Sequence, residues 1–247
     1  MSTDHTRITV RVIAKGGKFL GADIGGSLVT MKNAQTGELL ASGTTQGGSG
    51  NTTEIMQTPR LRGVAIPTDE ASGFTASLPL KEPCLVEVTA YGPLGGLQSA
   101  HKVSATQWVV PGKDVTGGDG LLLELPGLLV QVLQPATHQA LATLPADVVF
   151  AANVTMMCGC PISAGGIWDS KDFQVGAQIM KDGQIIDEIA LAYTGQTSQF
   201  QGQWKTKDGN SKEPQFYEAV VYAYQPASGN SGLGRVTFFY LPPAPSE

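Results

Sequence analysis

Charge is scarce in this chain. Only 15% of its 247 residues are Asp, Glu, Lys or Arg, and 16 basic against 21 acidic side chains leave a net charge of −5. The charges are scattered, so no basic stripe exists to hold nucleic acid and no Lys/Arg-rich amphipathic face to lie on a membrane. The 3 cysteines are too few for a disulfide scaffold and leave one thiol over however they pair. The 3 histidines, His5, His101 and His138, belong to no H-x-x-x-H or C-x-x-C-H pattern, which argues against zincin chemistry and haem attachment. Long apolar runs are missing as well. The longest, Leu121–Leu133, is broken by Glu124, Pro126 and Gln131, so nothing in it spans a bilayer. There is no G-x-S-x-G elbow, no P-loop, and Gly47-Gly-Ser-Gly50 lacks the Lys that a phosphate cradle needs. Met1–Val10 carries neither the basic nor the apolar stretch of a secretory leader. Two histories fit: a cytosolic protein, or an exported one whose leader has been replaced by Met1, with the extracytoplasmic history slightly favoured.

Glycine (31) and proline (15) are plentiful by contrast, and 41% of residues are hydrophobic. Punctuation of this density at this hydrophobicity predicts many short strands joined by tight turns, and no window keeps a 3.6-residue apolar period. Ile8, Val10, Val12 and Ala14 alternate with Thr9 and Arg11, as a half-buried strand requires. Strands follow at 27–33 and 39–45, joined through Gln35-Thr-Gly-Glu38 as a hairpin. Residues 46–72, rich in Gly, Ser, Thr and Pro, form a long loop. Further strands lie at 74–80, 84–91, 102–110 and 121–133, the last bent at Pro126-Gly127. About seven or eight strands within 1–135 make one antiparallel sandwich. Residues 134–146 lose the alternation and carry two prolines, which puts a linker at 136–146. A second sandwich spans 147–247, with strands near 148–158, 173–179, 185–193, 200–205, 215–224 and 235–240 and a hairpin turn at Lys181-Asp-Gly-Gln184. Phe216–Tyr224 is apolar on both faces, as expected of a central strand packed between layers. The predicted class is all-β: two antiparallel β-sandwich domains in tandem.

Several motifs carry a family resemblance. They are the strand Ile8–Ala14, Gly21-Ala-Asp-Ile-Gly-Gly, Val29-Thr-Met-Lys-Asn, Thr36-Gly-Glu-Leu-Leu-Ala-Ser-Gly, and Leu80 through Tyr91. Through them the first half resembles transthyretin-like modules of the carboxypeptidase regulatory-like kind. The second half, through Phe216–Tyr224, Gly229-Asn-Ser-Gly and Arg235-Val-Thr-Phe, is similar to immunoglobulin-like sandwiches of exported bacterial proteins. The loop 46–72 and the segment 102–133 exceed a minimal regulatory-like module. Such folds serve as binding, spacer or assembly modules, which is what the resemblance implies here.

The most unusual window is Asn153-Val-Thr-Met-Met-Cys-Gly-Cys-Pro161. If 148–160 is extended, Met156, Cys158 and Cys160 share one face and Met157 takes the other. Two thiolates and a thioether form a soft set suited to Cu(I) first, with Zn(II) open to it if His or carboxylate came from elsewhere. Two other outcomes stay open: a Cys158–Cys160 disulfide, and simple core packing of Met and Cys. Cys84, after Pro83, is expected as a buried small hydrophobe. Asp114, Asp119 and Glu124 flank a Gly-rich loop where oxygen ligands would suit Ca²⁺, although turns favour Asp and Gly anyway. Trp168 and Trp204 sit in or beside loops where a stacking surface for carbohydrate is conceivable, while Trp108 is expected in the core.

With so few catalytic groups, the expectation is a non-enzymatic structural or interaction protein presenting loops and sheet edges to a protein partner or to itself, as a subunit of a larger assembly would, with no cofactor. The alternative is a soft-metal (copper) or thiol-redox protein using Met156, Cys158 and Cys160. An enzyme acting on carbohydrate would need paired carboxylates in a cleft near Trp168 or Trp204.

Overall fold

The computed structural model describes residues 5–66, 69–207, 209 and 211–243. It is all-β, built of four open sheets that fall into two compact units. The first unit comprises residues 1–127 together with 156–160, and the second residues 128–155 and 161–247.

In the first unit β1 (His5–Ala14) occupies an inner position of a sheet ordered β4-β5-β1-β8, with β4 at Gln46–Ser49, β5 at Ala71–Pro79 and β8 at Leu121–Leu125. The alternation of β1 decides this place: Ile8, Val10 and Val12 are fully buried. A second sheet is ordered β3-β2-β6-β7, with β2 at Leu28–Asn33, β3 at Leu39–Thr44, β6 at Cys84–Gly92 and β7 at His101–Val109. Val29 and Met31 of β2 and Val86, Val88 and Ala90 of β6 form its buried face. Residues 46–72, expected as a plain loop, contribute β4, a π-helical turn at Thr53–Gln57 and the first residues of β5. They fold over the second face of β1, where Ile13 clusters with Phe19 and Ile66, flanked by Ile55, Ala71 and Leu122. An apolar Ile13 at a position the alternation assigns to solvent calls for that cover.

In the second unit a five-stranded sheet runs β10-β17-β16-β12-β13: β10 (Gln139–Leu141), β12 (Gln174–Lys181), β13 (Gln184–Ala190), β16 (Gln215–Gln225) and β17 (Asn230–Tyr240). The other sheet runs β14-β15-β11-β9: β9 (Leu128–Gln134), β11 (Asp147–Met156), β14 (Ala192–Tyr193) and β15 (Gln199–Lys205). Phe150, Phe238, Trp204 and Tyr217 meet ring to ring in this unit's core, at centroid separations of 5.2–6.2 Å.

Four expectations are corrected. The sheets are not purely antiparallel: β1 pairs in parallel with β8, and β10 with β17. Parallel neighbours need a long return path, and here nearly the whole unit lies between Ala14 and Leu121. The run Leu121–Leu133 is two strands, and the bend at Gly127 (φ +120°) is where the two units meet in sequence. The expected linker 136–146 contains β10, three residues hydrogen-bonded to β17. Finally, β16 is central but buried on one face only: Tyr217, Ala219, Val221 and Ala223 point inward, whereas Phe216 is 63% exposed. Its other face is spanned by polar links that need no covering layer. Arg235 donates to Glu218, Tyr222 Oη to Glu188 Oε1 (2.6 Å) and Gln178 Nε2 to Glu188 Oε2 (3.3 Å).

Candidate functional site

The Met-Met-Cys-Gly-Cys segment is not an extended strand. β11 ends at Met156, and the chain folds into a tight turn: Gly159 N donates to the Met156 carbonyl (2.8 Å) and Met156 N to the Cys160 carbonyl (3.0 Å). Gly159 takes φ +75°, and a Cβ there would strike Ile24, so both the turn and its seat require glycine. An extended strand would put the two cysteines on one face but about 6.5–7 Å apart; the turn draws their Cα atoms to 5.4 Å, and Cys158 and Cys160 form a disulfide. Met156 and Met157 are both fully buried, and the two sulfur-bridged residues are 1% and 6% exposed. Lys18 N donates to Cys158 Sγ (3.4 Å), Gly17 leaves the room that Cys158 fills, and Met156 lies beside Gly16. With both sulfurs spent on each other, this trio can take a soft metal only after reduction.

The acids of the Gly-rich loop are engaged separately. Asp114 accepts from Arg7 N (2.8 Å) and pairs with the Arg7 guanidinium (2.7 Å); the backbone hydrogen bond first, then the side-chain one, hold its carboxyl below the usual range. Asp119 accepts from Ile66 N (2.7 Å) and faces Arg60 at 3.5 Å, which ties down the segment that covers Ile13. Glu124 is exposed on the rim of a groove of about 360 Å³ between β1 and residues 54–66, with Ile13, Ile55, Leu61 and Ile66 in its walls. Among the described residues, no three His, Cys, Asp or Glu side chains converge as a metal cage.

The tryptophans reverse their expected roles. Trp168 and Trp204 are 8% and 3% exposed, and Trp204 Nε1 donates to Asp187 Oδ2 (2.9 Å). Asp187 is held below the usual carboxylate range, chiefly by Lys207 and next by Trp204. The carbohydrate surface therefore has no exposed rings at these two positions. Trp108, expected inside, is 57% exposed on β7.

That strand is a largely exposed edge, with β8 approaching it. β7 closes one side of its sheet, pairing among the described residues with β6 alone, in a register that sets Val109 against Cys84 and His101 against Gly92. Alternation should bury every second residue, yet Ser104 to Trp108 are all exposed. Ala105 and Gln107 stand beside Val88 and Val86, both fully buried, so β7 runs beyond the layer that covers β6. Such a strand offers a row of backbone donors and acceptors plus two accessible faces. Sequence reasoning missed it because LVEVTAY and HKVSATQWV both read as strands, and nothing local marks which will be the rim.

No protein-family model and no curated protein matches the chain. Among solved structures it is similar to an engineered protein crystallised by the Northeast Structural Genomics Consortium at 1.98 Å, with 16% identity and a TM-score of 0.29. The match covers 55% of this chain and 24% of that one, so the chain spans about a quarter of the length of that structure. No helix among the described residues is long and apolar enough to cross a membrane.

Proposed function

We propose that this is a non-enzymatic interaction protein: a transthyretin-like sandwich followed by an immunoglobulin-like sandwich, offering strand edges and loops to a protein partner within a larger assembly. The observation that carries this reading is β7, an edge strand with five consecutive exposed residues and a largely solvent-facing Trp108. Strand addition to such an edge gives affinity through backbone hydrogen bonds, and the flanking side chains set specificity. The Cys158–Cys160 disulfide suits an oxidising compartment and hence an exported protein. Replacing Cys158 and Cys160 by Ser should leave association, followed by sedimentation velocity, unchanged. Loss of association in that variant, with the fold retained, would count against the reading.

A second reading follows from the Cys158–Cys160 disulfide in a buried turn that begins at Met156: a thiol-redox or Cu(I) protein. It requires that the reduced protein bind copper and that added Cu(I) raise its melting temperature by linkage, with both effects gone in Cys158→Ser. Native mass spectrometry before and after reduction reads both the two-hydrogen difference and the bound metal.

A further inference from the structure

An interaction protein needs a partner, and β7 carries the chemistry to name one. We propose that β7 pairs antiparallel with β7 of a second copy, centred on Ala105, so that two β3-β2-β6-β7 sheets join edge to edge. This rests on the interaction reading above.

The other edges are poorly suited. β4, β10 and β14 have 4, 3 and 2 residues. β8 has 5 and runs straight into Pro126. β3 lies under Phe74, whose ring occupies the space a Gly43 side chain would need, and β9 lies against β17 where Gly232 lets the Leu128 carbonyl approach. β13 carries Asp187 and Glu188 at its centre, so a second copy would oppose acid to acid. β7 offers 9 residues and no acid.

Its side chains also fit themselves. With Ala105 opposite Ala105, Ser104 faces Thr106, Val103 faces Gln107 and Lys102 faces Trp108. Lys102 and Trp108 stand on the same face of the strand, and two-fold symmetry makes the pair twice. The one Lys of the strand thus meets an indole and not its own copy, an arrangement that favours an ammonium over a ring. Centring on Lys102 would set Lys against Lys, and centring on Val103 would leave Trp108 beyond the partner strand.

In the proposed register two Ala105 Cα atoms lie about 4.5–5.5 Å apart, within the span of a disulfide. Ala105→Cys should therefore give a covalent dimer on a non-reducing gel after mild oxidation, while Ser104→Cys should not. In sedimentation equilibrium the wild type should weigh twice the monomer. Trp108→Lys should be monomeric, and Trp108→Glu, which faces Lys102 with a carboxylate, should remain dimeric. Trp108 is exposed, so all variants should keep the wild-type circular dichroism and melt. A wild type monomeric up to millimolar concentration overturns the pairing, as does efficient cross-linking of Ser104→Cys. A dimer indifferent to Trp108→Lys also overturns it, yet leaves the interaction reading standing on another surface. That reading itself falls by the serine variants and the copper titration above.

Discussion

Cys84 begins β6 with its thiol buried, and desolvation first, with Glu38 and Glu82 adding to it, pushes that thiol above its ordinary value. A thiol raised in this way holds little thiolate near pH 8. Iodoacetamide should therefore leave Cys84 unlabelled in the native protein and label it readily in guanidinium. Rapid native labelling would contradict its burial. Asp187 behaves in the opposite sense. Its folded value lies below its unfolded one, so its contribution to stability is present above about pH 4 and is lost as the pH falls through the lower, folded value. Asp187→Asn should cost about 1 kcal/mol at neutral pH, discounted for its partial exposure. The difference from wild type should shrink in urea melts as the pH is lowered below about 4, the unfolded carboxylate value. Tyr222, pushed up to about 12 by its hydrogen bond to Glu188, should not ionise in an ultraviolet titration to pH 11. At this scale the sequence was a poor guide. Trp108, Trp168 and Trp204 were all sorted the wrong way, because exposure of a large ring is decided by which sheet overhangs which, and no local pattern encodes that.

Strands were far more legible. Period-2 alternation at Ile8–Ala14 and the turn residues at Gln35–Glu38 and Lys181–Gln184 mark β1 and two hairpins that the structure contains. Residues 46–72 were not legible, since short pieces such as Gln46–Ser49 gain their partner, β5, only in the folded sheet. Nor could alternation announce the parallel pairing of β1 with β8, which joins segments from opposite ends of the unit. The close approach of β17 to β9 is a matter of element packing too. Gly232 is the residue that permits it: a Cβ there would run into the Leu128 carbonyl. Gly232→Ala should lower stability by about 1–3 kcal/mol through forced separation of the strands. Gly183→Ala, at a hairpin turn with open space around it, should show only the smaller strain of its φ of +74°. Equal losses in paired denaturant melts would remove the packing explanation.

At the scale of the whole chain, the units are interleaved in sequence. The first is not finished by its own contiguous stretch, because Met156–Cys160 belongs with it, and Met156 and Met157 have no exposed surface at all. Burying such side chains contributes about 1.5–3 kcal/mol each. A chain ending at Gly127 should consequently melt well below the temperature at which the same unit melts in the full protein, as followed by near-ultraviolet circular dichroism. Equal melting would mean that the returning turn is a passive lodger. Interleaving of this kind has a temporal side. A polypeptide is made from its amino end, so the first eight strands emerge while the five residues that complete their core are still unmade. Until the growing chain reaches Cys160, the surface around Gly16, Gly17 and Ile24 lacks the residues that cover it in the folded protein. The birth order of the two units is thereby blurred: the earlier one must wait, partly assembled, for a messenger carried inside the later one.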